Sequence, residues 1–183
     1  SHQMSPYANA PLLWIDLELT DLDVKRGQIV EISTLITDAK LNLKSQGPSL
    51  VIHQPEEVLS SMVMWNQNHF SQSGLLEEIR ASKVTLNKAY QETLKFIKKH
   101  CAFQSAMLAG SSVYIDREFL GEYMPEIYNY LHHHIVDVNT LKELARRWYP
   151  QTPIYPKNFS HRAHDDILDS INELKYYKEN IFK

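Results

Sequence analysis

The stretch Leu12–Thr20, LLWIDLELT, carries two acidic residues inside a run that is otherwise apolar up to its last residue. Side chains two residues apart in a strand share one face, so Asp16 and Glu18 project together and their apolar neighbours take the other face. Two like charges on one face of a hydrophobic strand repel each other and lose solvation. Either a cation lies between the two carboxylates, or the acidic face belongs to a solvated edge strand.

The composition predicts an ordinary globular protein. The chain has 183 residues, of which 43% are hydrophobic and 22% charged, and this length suffices for one domain with a buried core. We assign residues 11–183 to a single domain. Residues 1–10 form an N-terminal extension, and its first residues, Ser1–Gln3, resemble the remnant of an expression tag.

Cysteine usage, hydropathy and charge limit the location and the partners. Cys101 is the only cysteine, which excludes an internal disulfide and is consistent with a reducing compartment. No apolar run approaches the length of a membrane span, so we expect no membrane association. These features predict an intracellular protein, cytoplasmic or mitochondrial. The net charge of −3 does not favour a long duplex as partner, but a short anionic ligand needs only local positive charge, which bound divalent metals supply.

Hydrophobic patterning predicts an α/β domain with a mixed five-stranded sheet flanked by helices. β-rich segments at residues 11–18, 28–38 and 41–54 have short connections and predict an antiparallel meander. Strands at residues 106–110 and 135–138 are separated by helical segments, so we expect them to run parallel to the first strand. This element order is that of a ribonuclease H-like fold. The first predicted helical segment begins at Pro55. Further helices are predicted over residues 73–82, 85–101, 114–124, 140–148 and 163–180.

Two more acidic residues and a histidine are candidates for a site at the carboxyl end of the first strand, where such a sheet binds its ligand. Asp116 follows the fourth strand at the start of a helix, where aspartate is also an ordinary capping residue. Asp166 enters the last helix, and His161 lies five residues earlier, too far around a helix to share its face. We therefore place His161 on the preceding loop, leaning over the site; its alternative role is that of a surface histidine.

Together, Asp16, Glu18, Asp116, Asp166 and His161 are the components of a two-metal site for phosphodiester hydrolysis. Hard carboxylate oxygens select Mg²⁺ or Mn²⁺. Two such ions stabilise the attacking and leaving oxygens of an in-line displacement. A histidine with a near-neutral pKa can take the proton of the attacking water.

The residue set and its flanking text resemble one enzyme family. The pattern DxE at 16–18, Asp116 and HxAxxD at 161–166 is similar to that of DEDD-type 3′→5′ exonucleases with a histidine general base. The phrases WIDLELT, DVNTLKELARRWYP and SHRAHDDILDSINELKYY narrow the resemblance to oligoribonuclease, from about residue 13 to the end of the chain. The resemblance implies four metal-binding carboxylates and His161 as general base. It also implies a homodimeric exonuclease domain that degrades short single-stranded oligoribonucleotides, especially dinucleotides, to nucleoside 5′-monophosphates.

The resemblance assigns three further residues to the substrate. Leu22 matches a leucine that wedges against one base, and Trp65 matches a tryptophan that stacks on the other. Without the resemblance, Trp65 would be taken as a core residue. Ser112 matches a serine that helps to hold the 5′ phosphate.

The chain departs from the family pattern at several positions. Asp21 replaces a glycine before Leu22, Ser111 replaces an asparagine before Ser112, and the family histidine at position 70 is phenylalanine here, with His69 beside it.

The largest departure lies in YLHHHIVDVNT, where His133 and His134 replace a tyrosine and an arginine, and Asn139 replaces a serine. In the family these residues form a cap on the 5′ phosphate, to which the partner subunit contributes the tyrosine and arginine. Arginine offers a permanent bidentate charge, whereas a neutral histidine offers one donor. We therefore expect a weaker cap and a relaxed preference for dinucleotides.

Three successive histidines could also suggest a metal site at residues 132–134. Because neighbouring strand residues diverge, we expect that one ion cannot collect all three imidazoles.

Two other functions stay open. One keeps the chemistry but trims longer RNA or short DNA from the 3′ end. The other is a catalytically weak RNA-binding homodimer, which retention of all five catalytic residue types argues against.

Overall fold

The computed structural model describes residues 3–183, whose strands form one five-stranded sheet in the order β3-β2-β1-β4-β5. The tag-remnant interpretation rests in part on Ser1 and His2, which lie outside the described residues. The strands are β1 Leu12–Leu19, β2 Ile29–Thr37, β3 Leu43–Val51, β4 Met107–Gly110 and β5 Ile135–Asp137.

Eight helices within the described residues flank this sheet. Not one of these helices combines the length and the apolar character that crossing a membrane requires. They are α1 Glu56–Ser60, α2 Met64–Gln72, α3 Leu75–Ala81, α4 Leu86–His100, α5 Val113–Tyr123, α6 Pro125–Tyr130, α7 Val138–Trp148 and α8 Ala163–Asn180.

The mixed sheet confirms the prediction from the sequence. β1, β2 and β3 form an antiparallel meander, and β4 and β5 run parallel to β1. The carboxyl ends of β1, β4 and β5 therefore lie at one edge of the sheet. The strand order reverses between β1 and β4, and such a switch point is where open α/β sheets bind ligands.

Strand β1 lies at the centre of the sheet, so the alternative of a solvated edge strand is wrong. Leu13, Ile15 and Leu17 point into the core that α4, α5 and α6 cover. Trp14 lies on the opposite face, in the core formed with α8. Because Asp16 shares the face of Trp14, the acidic pair faces α8.

The pairing between β1 and β4 is short and leaves the acidic end of β1 open. Only Leu12–Trp14 of β1 pair with Met107–Ala109 of β4. Gly110 ends β4, and α5 begins three residues later, at Val113. The backbone of β1 beyond Trp14 therefore has no strand on that side, and side chains from α5 can reach it.

The helical regions differ from the sequence prediction in two places. The segment after Pro55 divides into α1, α2 and α3, and Gly74 separates the last two with a left-handed φ of 80°. Helix α6 was not predicted; Pro125 occupies its first position, where proline's missing N–H costs nothing.

The premise behind the prediction for residues 132–134, that they alternate as strand residues, is wrong. β5 begins at Ile135, so His132, His133 and His134 belong to a bend before the strand and do not alternate. One potential ligand nitrogen from each imidazole lies within 4.8 Å of the others, and the rings of His132 and His133 are stacked with 16° between their planes.

Candidate active site

Three of the predicted carboxylates converge at the carboxyl end of β1. Asp166 lies in the first turn of α8, which packs on the face of β1 that carries the acidic pair. One carboxylate oxygen from each of Asp16, Glu18 and Asp166 lies within 4.8 Å of the others. The apolar side of α8 causes this approach, because Ile167 and Ile171 pack with Trp14 in one core.

Asp116 reaches the same region from the first turn of α5. Its Oδ1 atom accepts a hydrogen bond of 3.0 Å from the Leu17 backbone N–H. That N–H lies beyond the part of β1 that pairs with β4, so Asp116 accepts the hydrogen bond in place of a residue of β4. This carboxylate is buried, and its charge acts on Asp16.

Burial and mutual repulsion raise the pKa values of the clustered carboxyls. Burial is the largest cause for Asp16, whose pKa lies well above its usual value, and the charges of Glu18 and Asp116 raise it further. Burial and the charge of Asp166 also raise the pKa of Glu18. Burial raises the pKa of Asp116 to about 8, although the Leu17 N–H opposes this. Without a cation, the fold therefore favours protonated carboxyls over a fully ionised cluster.

A divalent cation fits this donor set. Asp16 Oδ2 is buried and has no hydrogen-bond partner among residues 3–183, although buried polar atoms normally have one. The surrounding donors are carboxylate oxygens, which suit hard cations such as Mg²⁺ and Mn²⁺. An ion among them would supply the partner that Asp16 Oδ2 lacks and would offset the repulsion.

His161 lies on the loop before α8, as the sequence predicts, and lines the same cleft as Asp16 and Asp166. Its φ of 57° is left-handed, a conformation that is uncommon for a residue other than glycine. Strain of this kind persists only where neighbouring contacts hold the backbone. Burial and the adjacent His69 lower the pKa of His161, which keeps its imidazole neutral and able to accept a proton at neutral pH.

The contacts that hold His161 come from both of its sequence neighbours. Ser160 Oγ lies 3.2 Å from Asp166 Oδ1 and donates to it. On the other side, Arg162 Nη2 lies 2.9 Å from Glu31 Oε2, and the Ala163 backbone N–H donates to the other oxygen of Glu31 at 2.8 Å.

The sequence analysis missed Glu31. Its side chain is only 3% exposed in a strand whose residues are all buried, and an acid in such a strand needs a partner. The sequence signal that could have indicated its role is the lone charge in the apolar segment IVEISTLIT. In the structure, Glu31 pairs with Glu18 of β1.

Lys157 is a second residue that the sequence analysis missed. Its Nζ atom lies 3.0 Å from Glu173 Oε1 and donates to Ser111 Oγ at 3.2 Å. It thereby ties the loop between α7 and α8, which contains Pro150, Pro153 and Pro156, to α8 and to the end of β4. No local sequence pattern indicates this pairing, which joins residues 16 and 46 positions apart.

Trp65 lies beside His161 and is 60% exposed, so it is not a core residue. Its ring centroid is 5.9 Å from that of His161 and 3.9 Å from that of His69. Asn66 Nδ2 donates to the Thr20 carbonyl at 3.0 Å, which fixes the start of α2 to the end of β1. Leu22 lies two residues after Thr20 and is 67% exposed.

The residues matched to the phosphate cap fall into two groups. Asn139 Nδ2 donates to Ser112 Oγ at 2.7 Å, and Asn139 lines the cleft of Asp16. His133 instead lines a separate depression with Tyr114 and Glu118, among other residues. His134 clusters with His133, so within one chain the two histidines do not line the carboxylate cleft.

Comparison with known proteins assigns the family. A family model described as an exonuclease, RNase T, matches residues 13–174. The mitochondrial oligoribonuclease of Homo sapiens is 46% identical over 174 residues, which are 94% of this chain and 73% of that protein. The oligoribonuclease of Acinetobacter baylyi is 46% identical over 180 residues, 98% of each chain. The chain belongs to the oligoribonuclease family.

Solved structures confirm the ribonuclease H-like fold. Exonuclease I from Methylocaldum szegediense aligns with a TM-score of 0.69 at 17% identity, over 95% of this chain and 41% of that one. E. coli exonuclease I in complex with an oligonucleotide aligns with a TM-score of 0.70 at 13% identity, over 94% and 41%. The chain spans less than half the length of these exonucleases, and at such identities the likeness concerns the fold alone.

Membership in the oligoribonuclease family makes the chain a 3′→5′ exoribonuclease, a phosphodiester hydrolase of the DEDD superfamily. Enzymes of this superfamily use divalent metal ions, and the carboxylate cluster at the end of β1 is consistent with that requirement.

We predict that Asp16→Asn stabilises the metal-free protein. A raised carboxyl pKa in the folded state means that stability is lost as the pH rises toward that pKa, so the substitution removes a growing penalty. In chelator at about pH 8, the thermal midpoint should rise by at least about 3 °C, with a smaller rise at about pH 5. Calorimetry measures both values.

Two comparisons test the cause of that effect. The exposed Asp165→Asn should leave the midpoint unchanged, because Asp165 lies outside the cluster. Added Mg²⁺ should stabilise the wild type more than Asp16→Asn. A destabilised Asp16→Asn protein in chelator would contradict the account of repulsion.

Proposed function

We propose that the chain hydrolyses short single-stranded oligoribonucleotides, from dinucleotides to a few nucleotides, and releases nucleoside 5′-monophosphates. The observation that carries this proposal is the convergence of Asp16, Glu18 and Asp166 beside a cleft that His161 lines, with Trp65 next to His161. This arrangement joins a site for cations to an exposed aromatic surface for a base.

Asp16, Glu18, Asp116 and Asp166 are the proposed ligands of two Mg²⁺ or Mn²⁺ ions. When bound, such a pair stabilises negative charge on the attacking and leaving oxygens of an in-line displacement. The chain contributes the geometry: β1, α5 and α8 hold the carboxylates before the substrate arrives, so little reorganisation is needed during the reaction.

His161 is the proposed general base. It accepts a proton from the attacking water while the new P–O bond forms, and the bond from phosphorus to the 3′ oxygen of the preceding nucleotide breaks. That 3′ oxygen takes up a proton and leaves as a hydroxyl, and the released nucleotide keeps the phosphate on its 5′ carbon. The contacts of Ser160 and Arg162 orient the imidazole for this transfer.

Leu22 and Trp65 are the proposed contacts of the two bases. Both are exposed large apolar side chains, and stacking on an aromatic ring is tolerant of base identity. A surface of this size accommodates a short substrate without a basic track for a long backbone, in keeping with the net charge of −3.

Ser112 and Asn139 are the proposed contacts of the 5′ phosphate, completed by His133 and His134 of the partner subunit in a homodimer. A hydroxyl and an amide at 2.7 Å from each other can both turn toward a phosphate oxygen. His133 lines a separate depression and neither histidine lines the carboxylate cleft of its own chain, which is consistent with a role in the neighbouring subunit.

An exposed apolar surface on α7 and the C-terminal segment supports the homodimer. Trp148 and Phe182 are 67% and 56% exposed, and both line a groove with Leu141, Leu144 and Tyr149. Large aromatic side chains on a surface are typical of protein interfaces. We propose that this groove packs against a second copy of the chain.

A relaxed length preference is the second candidate function, because the cap lacks the arginine of the family. The chain would then trim longer RNA or short DNA from the 3′ end. A catalytically weak RNA-binding homodimer is the third. A single domain over residues 11–183 and a cytoplasmic or mitochondrial location remain predictions from the sequence.

We predict that Glu18→Ala abolishes hydrolysis and leaves the fold intact, because the carboxylate contacts its acidic neighbours and supplies no packing to the core. The rate on an RNA dinucleotide should fall by about 10³-fold or more. The exposed Glu179→Ala serves as the matched control and should retain the wild-type rate.

The same assay on RNA and DNA of two to ten nucleotides, with Mg²⁺ or Mn²⁺, separates the three functions. Rates that fall steeply with length support the short-substrate enzyme. Equal rates at every length indicate a trimmer, and binding without hydrolysis at any length indicates the weak RNA-binding protein.

We predict that His134→Arg raises the affinity for 5′-phosphorylated dinucleotides by about tenfold, since a charged bidentate donor replaces a single neutral one. The preference over longer oligomers should increase as well. His100→Arg adds the same charge on α4 and should have no effect. A wild type that already strongly prefers 5′-phosphorylated dinucleotides at about pH 8 would contradict the weaker cap.

We predict that Trp148→Glu converts the homodimer to a monomer, because a carboxylate in an apolar interface loses its hydration without gaining a partner. Light scattering coupled to size-exclusion chromatography measures the mass. Phe103→Glu changes a side chain of similar exposure, 64%, outside the groove and should remain dimeric. A monomeric wild type would rule out the proposed interface.

A further inference from the structure

Three consecutive imidazoles form a cluster outside the carboxylate cleft. The ring centroids of His132 and His133 are 4.5 Å apart, those of His133 and His134 are 4.4 Å apart, and those of His132 and His134 are 4.8 Å apart. One potential ligand nitrogen from each ring lies within 4.8 Å of the others. We propose that His132, His133 and His134 bind a divalent transition metal ion of the zinc type. This ion site rests on contacts within one chain and not on hydrolysis, and it shares His133 and His134 with the phosphate cap proposed above.

Hydrogen bonds fix the backbone that leads into the histidine cluster. The His132 N–H donates to the Ala106 carbonyl at 2.9 Å, next to β4. The Gln104 N–H donates to the Tyr130 carbonyl at 2.7 Å, at the end of α6. After His134 the chain enters β5, which pairs with β4. The three side chains therefore extend from a bend that is fixed on both sides, which lowers the entropy lost when an ion collects them.

The donor chemistry separates this cluster from the catalytic carboxylates. Neutral imidazole nitrogens suit Zn²⁺, Cu²⁺ and Ni²⁺, whereas carboxylate oxygens suit Mg²⁺ and Mn²⁺. His133 and His134 are exposed and His132 is half-buried, so an ion can approach from solvent. Three protein ligands leave a tetrahedral ion with one open position. Glu118 lines the same depression as His133 and offers a carboxylate on that side.

One hydrogen bond within the cluster has to change when an ion binds. The His134 backbone N–H donates to His132 Nδ1 at 2.9 Å, so Nδ1 presents its lone pair and, in the neutral ring, Nε2 carries the proton. An ion bound at Nδ1 replaces the His134 N–H as the partner of that lone pair. An ion bound at Nε2 requires the other tautomer, whose Nδ1–H cannot accept from His134. In both cases the His134 amide loses its acceptor.

The position of the cluster indicates what bound metal would do. Asp137 follows His134 by three residues, and its Oδ1 atom accepts from the Ser112 and Asn139 backbone N–H groups at 2.9 and 3.0 Å. An ion that joins residues 132–134 restricts the segment that leads into β5. We therefore expect the metal to stabilise the connection between the ends of β4 and β5.

Calorimetric titration with Zn²⁺ tests the site, on protein without a polyhistidine tag and with Mg²⁺ in excess to occupy the carboxylate cluster. The wild type should bind one more equivalent of Zn²⁺ than the double variant His133→Gln/His134→Gln. Each single variant should bind that equivalent at least about tenfold more weakly. His100→Gln, an exposed histidine on α4, is the matched control and should bind like the wild type.

Nuclear magnetic resonance of the wild type gives a second test that needs no substitution. Zn²⁺ should shift the imidazole signals of residues 132–134 and the backbone amide of His134, while His53 and His100 keep their positions. Equal Zn²⁺ stoichiometry and affinity in the wild type and the double variant would overturn the proposal. So would imidazole signals of residues 132–134 that do not respond to Zn²⁺.

Discussion

Repulsion between buried carboxylates is the constraint on which the carboxyl edge of the sheet depends. When ionised, Asp16, Glu18 and Asp166 repel one another; the apolar contacts of α8 with β1 and β2 bring them together. Trp14 at the centre of the sheet packs with Ile167 on the same helix that presents Asp166. Burial of such side chains contributes about 1.5–3 kcal/mol each, and this opposes the cost of gathering like charges.

The same logic explains the position of His161. A histidine in a left-handed conformation above a group of acids requires support from both sides. Arg162 and Glu31 supply it through an ion pair in which Glu31 is almost wholly buried. A buried pair of this kind adds little net stability, but removal of one partner is costly. The ion pair therefore fixes where the loop lies more than how stable the protein is.

Part of this site follows directly from the sequence. The period of two in a strand places Asp16 and Glu18 on one face, and the spacing of five residues places His161 on the loop before α8. Both predictions use only local geometry, and the structure agrees with them. The family resemblance supplied the roles of Trp65 and Leu22, which local pattern alone does not indicate.

Other features depend on contacts between distant segments, which no local pattern encodes. Glu31 meets Arg162 across 131 positions, and Lys157 meets Ser111 across 46. The bend at residues 132–134 was misread as strand because histidine has no strong preference and the short strand β5 follows immediately. Helix α6 was not predicted: it has only six residues, Pro125–Tyr130, and follows α5 after one intervening residue.

The carboxylate of Asp137 joins the ends of β4 and β5 through main-chain groups only, since one oxygen accepts from the backbone N–H of Ser112 and of Asn139. The side chains at those two positions are left out of this link and contact each other. Substitution of either side chain therefore leaves the acceptor and both donors of the Asp137 link in place. The backbone at this edge of the sheet is held independently of the side chains that it presents to the cleft.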